Sequence, residues 1–273
     1  MNHKFGYLTD FCNCLHLRIM YIYHRTLDSR WHFDNHCHSF NRIYFILDGH
    51  GYLYNDTERV DLEPNNVYIV PADSCYNYRC EEYLEKIFAH FNFFVIPNKD
   101  LLSNIHHIIK IKSSSEEMER LKDICYSESV TSAMFFRNYI NQLIMDIVKP
   151  YSEQITNDLK IHKKYERLYK YAEDNLYADT RVSDICRYMG FSQTYLGQQF
   201  KRDTGQTIKD FLTDMLIQKM KYMFLFSGFS VKDVSDILHF NNEFYCSKFF
   251  KKHLGVSPRE YKKLHGNMHV GEI

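Results

Sequence analysis

The sequence predicts an α+β chain of two domains, an antiparallel β barrel followed by helices and then an all-α domain. Three observations carry this. Residues 36–96 are a series of short β-branched or aromatic runs broken by turn-like stretches. Beyond Pro97 the apolar residues recur at helical spacing instead. Charge is segregated in the same sense: Lys+Arg and Asp+Glu are each 34 over 273 residues, so the net charge is zero. Yet residues 1–159 carry 15 Lys/Arg against 21 Asp/Glu, a balance of −6, and residues 160–265 carry 19 against 12, a balance of +7. Such asymmetry marks a half that meets a polyanion.

The strands expected are Ile43–Leu47, Tyr52–Tyr54, Val67–Val70 and Ile87–Val95, separated by turns at Asp48-Gly49, Asn55-Asp56 and Pro64-Asn65-Asn66. Glu116–Tyr126 then places Met118, Leu121, Ile124 and Cys125 on one helical face. Ser132–Lys149 does the same with Phe135, Phe136, Tyr139, Ile140, Leu143, Ile144 and Ile147. So broad an apolar face has two readings, packing onto its own β domain or pairing with a second copy. Pro150 stops this helix, Tyr151–Lys160 is polar enough for a linker, and helical spacing resumes at Ile161 with Tyr165, Leu168, Tyr169, Ala172 and Leu176.

Composition excludes several classes. With 45% hydrophobic and 25% charged residues, wholesale disorder is excluded, and 10 Gly with 5 Pro exclude low-complexity segments. No apolar run is long enough for a membrane span, and Met1–Asp10 lacks signal-peptide order. The eight cysteines (12, 14, 37, 75, 80, 125, 186 and 246) form no CxxC pair, so neither a zinc ribbon nor a disulfide framework is expected, and a reduced cytoplasm fits.

A repeat carries the function. Val182-x-x-Ile185-Cys186-x-x-x-Gly190-Phe191 returns as Val231-x-x-Val234-Ser235-x-x-x-His239-Phe240, 49 residues on. Tyr195…Phe200-Lys201-Arg202…Gly205 returns as Tyr245…Phe250-Lys251-Lys252…Gly255 at a spacing of 50, so the second copy holds one extra residue near Asn241–Glu243. Each copy has helix-turn-helix logic. A small residue (Cys186, Ser235) lets two helices approach, and a left-handed turn follows four residues later. A Phe anchors that turn, and Ser192 or Asn241/Asn242 caps the next helix. Its inner face holds Leu196 and Phe200, or Cys246 and Phe250. The opposite face holds Gln193, Thr194, Gly197, Gln198 and Lys201 in one copy, and Glu243, Phe244, Ser247, Lys248 and Lys251 in the other. Amides, hydroxyls and bases in this arrangement suit base edges and phosphates.

Gly190-Phe191-Ser192-x-x-Tyr195-Leu196-x-x-x-Phe200-Lys201-Arg202-x-x-Gly205 resembles the first helix-turn-helix of the AraC/XylS transcriptional regulators. Phe240-x(4)-Tyr245-x(4)-Phe250-Lys251-Lys252-x-x-Gly255-Val256-Ser257-Pro258-x-x-Tyr261 resembles the second. The resemblance covers about residues 160–265. It implies a seven-helix domain whose two recognition helices, joined by a long helix near Ile208–Phe226, enter successive major grooves of double-stranded DNA. By position, Thr194, Gly197 and Gln198, then Phe244, Ser247 and Lys248, would read bases, with Gln193 and Glu243 beside them. Gln198 suits adenine and Lys248 guanine. Lys201, Arg202, Lys251 and Lys252 would hold phosphates, which set affinity and register. Two departures stand out: His239 replaces the turn Gly, and Cys246 replaces a bulkier apolar residue.

In the first half, His36-x-His38, Ile43–Leu47, Gly49-x-Gly51 and Pro64…Pro71 resemble the cupin-type sensor domain that commonly precedes such a DNA-binding domain. Metal cupins follow His-x-His with a Glu, where this chain has Arg42, and no third His follows Pro71 in the place expected. A catalytic metal wants at least three protein ligands. No metal, no cofactor and no catalytic residue are therefore expected. Three readings stand for His32, His36 and His38: ordinary pocket or surface histidines, contact with a small polar or anionic effector helped by Arg42 (a sugar or related metabolite by the resemblance), and a transition-metal sensor site.

The expected organisation is a cupin-like sensing domain over 1–112, a helical linker and candidate dimerisation segment over 113–157, and a DNA-binding domain with two helix-turn-helix motifs over 158–266. The chain reads as a cytoplasmic, effector-responsive transcriptional regulator without a membrane partner. A homodimer is one expected assembly, and an activator of this kind would also meet RNA polymerase. The competing reading is a metal-dependent cupin enzyme with an accessory helical domain.

Overall fold

The computed structural model describes residues 9, 12, 15–96, 99–225 and 227–266. Cys14, Pro97, Phe226 and most of Met1–Asp10 lie outside them. The chain divides into two compact units, one running to Ile155 with the strands, the other from Thr156 onward.

The first unit is built on β1 (His16–Leu27), β2 (Phe33–Cys37), β3 (Asn41–Tyr54), β4 (Arg59–Leu62), β5 (Asn66–Val70), β6 (Cys75–Ile96), β7 (Lys99–Asp100) and β8 (Ile109–Lys112). They form one sheet in the order β1-β6-β3-β5-β8, with β2 and β7 on β6 and β4 on β3. The pairings with a defined register are antiparallel. Asp48-Gly49, expected as a turn, is a bulge inside one long strand, with register shifts on either side of it. Gly49 has φ +80, and a Cβ there would stand 2.4 Å from the Tyr83 carbonyl oxygen. Only glycine lets the strand bend this close to its neighbour.

Strand β3 is covered on both faces. Tyr44 and Ile46 belong to the inner core with Trp31, Tyr68, Tyr78 and Phe88. Phe45 points the other way, its ring 5.9 Å from Phe136 and 6.0 Å from Tyr139. Those two lie on α2 (Val130–Val148), which follows α1 (Ser115–Tyr126). The buried stripe of α2, Phe136, Ile140 and Ile144, is thus spent inside its own unit, each side chain contributing about 1.5–3 kcal/mol. The outer face still exposes Met134 and Met145.

Two expectations are corrected here. The proposed linker 151–160 is helical: α3 runs Ser152–Asp174. Pro150 sits in the first turn of the short 3-10 helix Lys149–Tyr151, where its missing N–H costs nothing. Glu153 in the first turn of α3 suits a helix N-terminus. Second, Cys37 and Cys75 form a disulfide with Cα atoms 4.2 Å apart. They face each other in the β2–β6 register, a pairing across 38 residues that spacing in the sequence does not disclose. The inference of a reduced compartment from cysteine usage loses that support.

The second unit contains α3 from Thr156 on, α4 (Val182–Met189), α5 (Gln193–Thr204), α6 (Ile208–Leu225), α7 (Val231–Ile237), α8 (Glu243–Leu254) and α9 (Pro258–Gly266). Helix α6 is buried around most of its circumference, through Ile208, Phe211, Leu212, Met215, Met220 and Phe224 among others. A helix apolar on nearly all sides is a central one, and α6 carries the core shared by both repeat copies. No helix among the described residues is long and apolar enough to cross a membrane.

Candidate nucleic-acid interface

The two copies fold alike from local causes. In the first, α4 ends on Gly190 at φ +75, and the Gly190 and Phe191 N–H groups donate to the Arg187 (3.2 Å) and Cys186 (3.0 Å) carbonyls. In the second, the His239 and Phe240 N–H groups donate to Asp236 (3.4 Å) and Ser235 (2.9 Å), each 49 residues on. His239 itself takes the left-handed turn, at φ +57. A non-glycine residue there costs about 1–2 kcal/mol. The imidazole stacks flat on Tyr177, 4.0 Å between centroids at 5°, and an aromatic pair gives back about 0.5–1.5 kcal/mol. Motif geometry is kept without the glycine.

The extra residue of the second copy is Asn241. Ser192 caps α5 by accepting from the Tyr195 N–H at 3.2 Å, and Asn242 caps α8 by accepting from the Tyr245 N–H at 2.8 Å. From there the copies are in phase at 50: residues 192–200 and 242–250 have the same succession of exposed and buried positions. Leu196 and Phe200, and Cys246 and Phe250, are buried. Burial pushes the Cys246 thiol up to about 12, so it packs as an inert small hydrophobe.

On the outward side Gln193, Thr194 and Gln198, and Glu243, Phe244 and Lys248, are exposed, while Gly197 and Ser247 are half-exposed. Lys201, Arg202, Lys251 and Lys252 are exposed in the last turns. Arg202 is nevertheless engaged, donating to Gln199 Oε1 at 2.7 Å and to Asp203 Oδ1 at 3.4 Å. Asp203 is a residue that sequence reasoning missed. Hydrogen bonds from Lys164 and Tyr165, ahead of that from Arg202, hold its carboxyl down at about 2. It ties α5 to α3, and His253 stands at the matching place in α8.

Gly197 has no conformational or packing reason visible within the chain. It lies inside α5, and a Cβ built there meets nothing within 4 Å. Glycine in a helix interior costs about 0.5–1 kcal/mol against alanine. Gly197→Ala is therefore expected to raise stability by about that amount in a thermal melt. If the vacancy admits DNA, the same variant loses affinity; equal or tighter DNA binding would remove that explanation.

The effector candidates lie in the sheet unit. Arg42 is buried and donates to the Tyr78 hydroxyl, to the Ser74 carbonyl at 3.1 Å and to the Pro71 carbonyl at 3.4 Å. Strand register sets it opposite His90, which sequence reasoning did not single out. The His38 ring is 4.7 Å from His36 and 5.9 Å from His90, and Tyr21 is hydrogen-bonded to His90. Their separation in sequence, with β6 pairing back over β3, hid this grouping. Among the described residues no group of three or more His, Cys, Asp or Glu is arranged to hold a metal ion. A surface cavity of about 410 Å³ is lined by Tyr52, Tyr54, Asn55, Thr57, Glu58 and Arg59; His36, His38 and Arg42 are not among them.

Residues 185–264 match a family profile described as a helix-turn-helix domain, and residues 20–85 match one described as an AraC-like ligand binding domain. The Msm operon regulatory protein of Streptococcus mutans is 21% identical over 235 residues, 81% of this chain and 83% of that protein. The raffinose operon transcriptional regulatory protein RafR of Pediococcus pentosaceus is 25% identical over 146 residues, so the match spans about half of each, 53%. A crystal structure of ToxT from Vibrio cholerae aligns over 92% of this chain and 98% of its own, with TM-score 0.49 and 15% identity.

Proposed function

Because the chain belongs to the AraC/XylS family of DNA-binding transcriptional regulators, we propose that it reads DNA in the cytoplasm with α5 and α8 in successive major grooves. It is a regulator and not an enzyme, so the metal-dependent cupin alternative falls. The observation that supports the two-helix reading is the phase relation. Two capped helices share one burial pattern at a spacing of 50, and each sets an amide-, hydroxyl- or base-bearing face outward. We assign base contacts to Gln193, Thr194, Gly197 and Gln198, and to Glu243, Phe244, Ser247 and Lys248. We assign phosphate contacts to Lys201, Lys251, Lys252 and, in competition with Asp203, Arg202.

Footprinting of the full chain is expected to protect about two helical turns, with affinity falling steeply as salt rises. Gln198→Ala costs about 1–3 kcal/mol at the preferred sequence and relaxes preference there. Lys201→Ala weakens every sequence alike and lowers the salt slope by about 1. Equal losses at every sequence from both variants would overturn the division of roles.

For the sheet unit we propose a small polar effector, a sugar or related metabolite, met by Arg42, His38 and His36. The name of the Pediococcus relative, a regulator of a raffinose operon, supports a sugar. A ligand at a hundredfold excess over its Kd stabilises by about 2.7 kcal/mol. Raffinose and its component sugars are therefore to be screened by thermal shift against wild type and His36→Ala. A rise seen in wild type and lost in the variant supports the site; no rise with any of these sugars excludes them as effectors. A homodimer contact fits the outer face of α2 around Met134 and Met145, and contact with RNA polymerase follows if the chain activates.

A further inference from the structure

Phe244, the second residue of α8, is 78% exposed. One exposed hydrophobe is ordinary, so the context decides. Helix α8 already has its anchors, Cys246 and Phe250, both fully buried. Phe244, Ser247 and Lys248 stand at i, i+3 and i+4 on one outward face, with Lys251 a turn further along. An aromatic ring set among cations suits a polyanion that also offers an apolar group. The matching position in α5, fifty residues earlier, is Thr194, which is exposed too. Lys201 and Lys251 match as phosphate contacts, whereas the copies differ at the other assigned base-reading positions, with Gln193 against Glu243, Gly197 against Ser247 and Gln198 against Lys248. At this one position both present an apolar contact group, and a Phe ring and a Thr methyl are the groups that pack against the C5-methyl of thymine in the major groove.

Resting on the DNA-reading assignment above, we propose that Phe244 recognises a thymine methyl in the second half-site and Thr194 recognises one in the first. The preferred duplex then carries a T·A pair in each half-site, about 10–10.5 base pairs apart. Burial of one methyl is worth about fourfold in affinity, enough to set a preference without dominating binding.

The test uses the full chain to enrich duplexes from a random-sequence pool. Each thymine of an enriched duplex is then replaced in turn by deoxyuridine, which removes the methyl and leaves base pairing unchanged. Wild type is expected to lose about threefold to tenfold at one thymine of the second half-site. Phe244→Ala, whose melting temperature stays at the wild-type value because the ring is exposed, is expected to bind both duplexes equally. Uridine tolerated by wild type at every position would overturn the inference. So would a Phe244→Ala chain that keeps the uridine penalty, or one that loses only transcriptional output, which would assign the ring to a protein partner. A pool that is never enriched sinks the DNA-reading assignment itself, a failure distinct from an enriched pool indifferent to uridine.

Discussion

Phe200→Ala is expected to lower the melting temperature of the helical unit by about 10–20 °C and to shrink the DNA footprint to one helical turn. Phe200 is fully buried. Its ring meets Tyr165 at 5.0 Å and Tyr169 at 6.2 Å, both near edge-on, and Phe211 at 5.7 Å. Truncating such a residue costs about 3–5 kcal/mol, since the transfer energy is lost and the cavity closes only in part. For a unit of this size each kcal/mol moves the midpoint by about 4 °C. The damage reaches function because Phe200 is one of the two residues that seat α5. Further ties to α3 run from Lys164 to Gln199 Oε1 at 3.4 Å and through Asp203, which accepts from the Tyr165 hydroxyl at 2.8 Å. Phe200→Leu keeps most of the volume and costs about 1.5 kcal/mol or less. Circular dichroism melts of both variants check this, and a loss near 1 kcal/mol for the alanine would show that α5 is held by something else.

Arg42→Met is expected to destabilise the sheet unit by about 2–4 kcal/mol. Two effects oppose each other. Removing a buried cation relieves its desolvation, and replacing a whole buried ionic group by apolar residues is often neutral or stabilising. Here, however, the acceptors stay behind. The buried Tyr78 hydroxyl and the half-buried Ser74 carbonyl lose a charged donor, at about 1–3 kcal/mol for a buried group left short and less for the half-buried one. Two such losses outweigh the relief. Adding Tyr78→Phe to Arg42→Met should recover part of the loss by removing the acceptor that Arg42 served, and denaturant titration of the three chains measures the coupling. A stability gain in the single variant would mean that the arginine is retained for a ligand at the expense of the fold.

What was legible in the sequence was what local interactions decide. Each helix-turn-helix needs a side-chain cap, a left-handed residue, and apolar anchors at i and i+4, all within about twenty residues. Ser192, Gly190, Leu196 and Phe200 therefore announce the motif, and the same signals 49 to 50 residues on announce its copy. Even His239, a departure from the pattern, keeps the turn, because the required backbone is set by neighbours in sequence and its strain is offset by one stacked ring. The segregated charge pointed to the basic unit on the same local evidence.

Tertiary structure alone decided the rest. Strand β1, with His and Arg interspersed among apolar residues, has no clean alternation and is held as a strand by its pairing with β6 over His16–Leu27. The Cys37–Cys75 bond, the Arg42–Tyr78 hydrogen bond and the His24–Glu85 contact of 2.8 Å join residues 36 to 61 apart. So does the tie of Lys164 and Tyr165 to Asp203 in the helical unit. In each case the contact forms because a sheet register or a shared core brings distant residues together, and nothing in the spacing of those residues records it. Local signals specify two helix-turn-helix copies; the pairing of distant strands and helices decides which side chains stay exposed and which are bound to the fold.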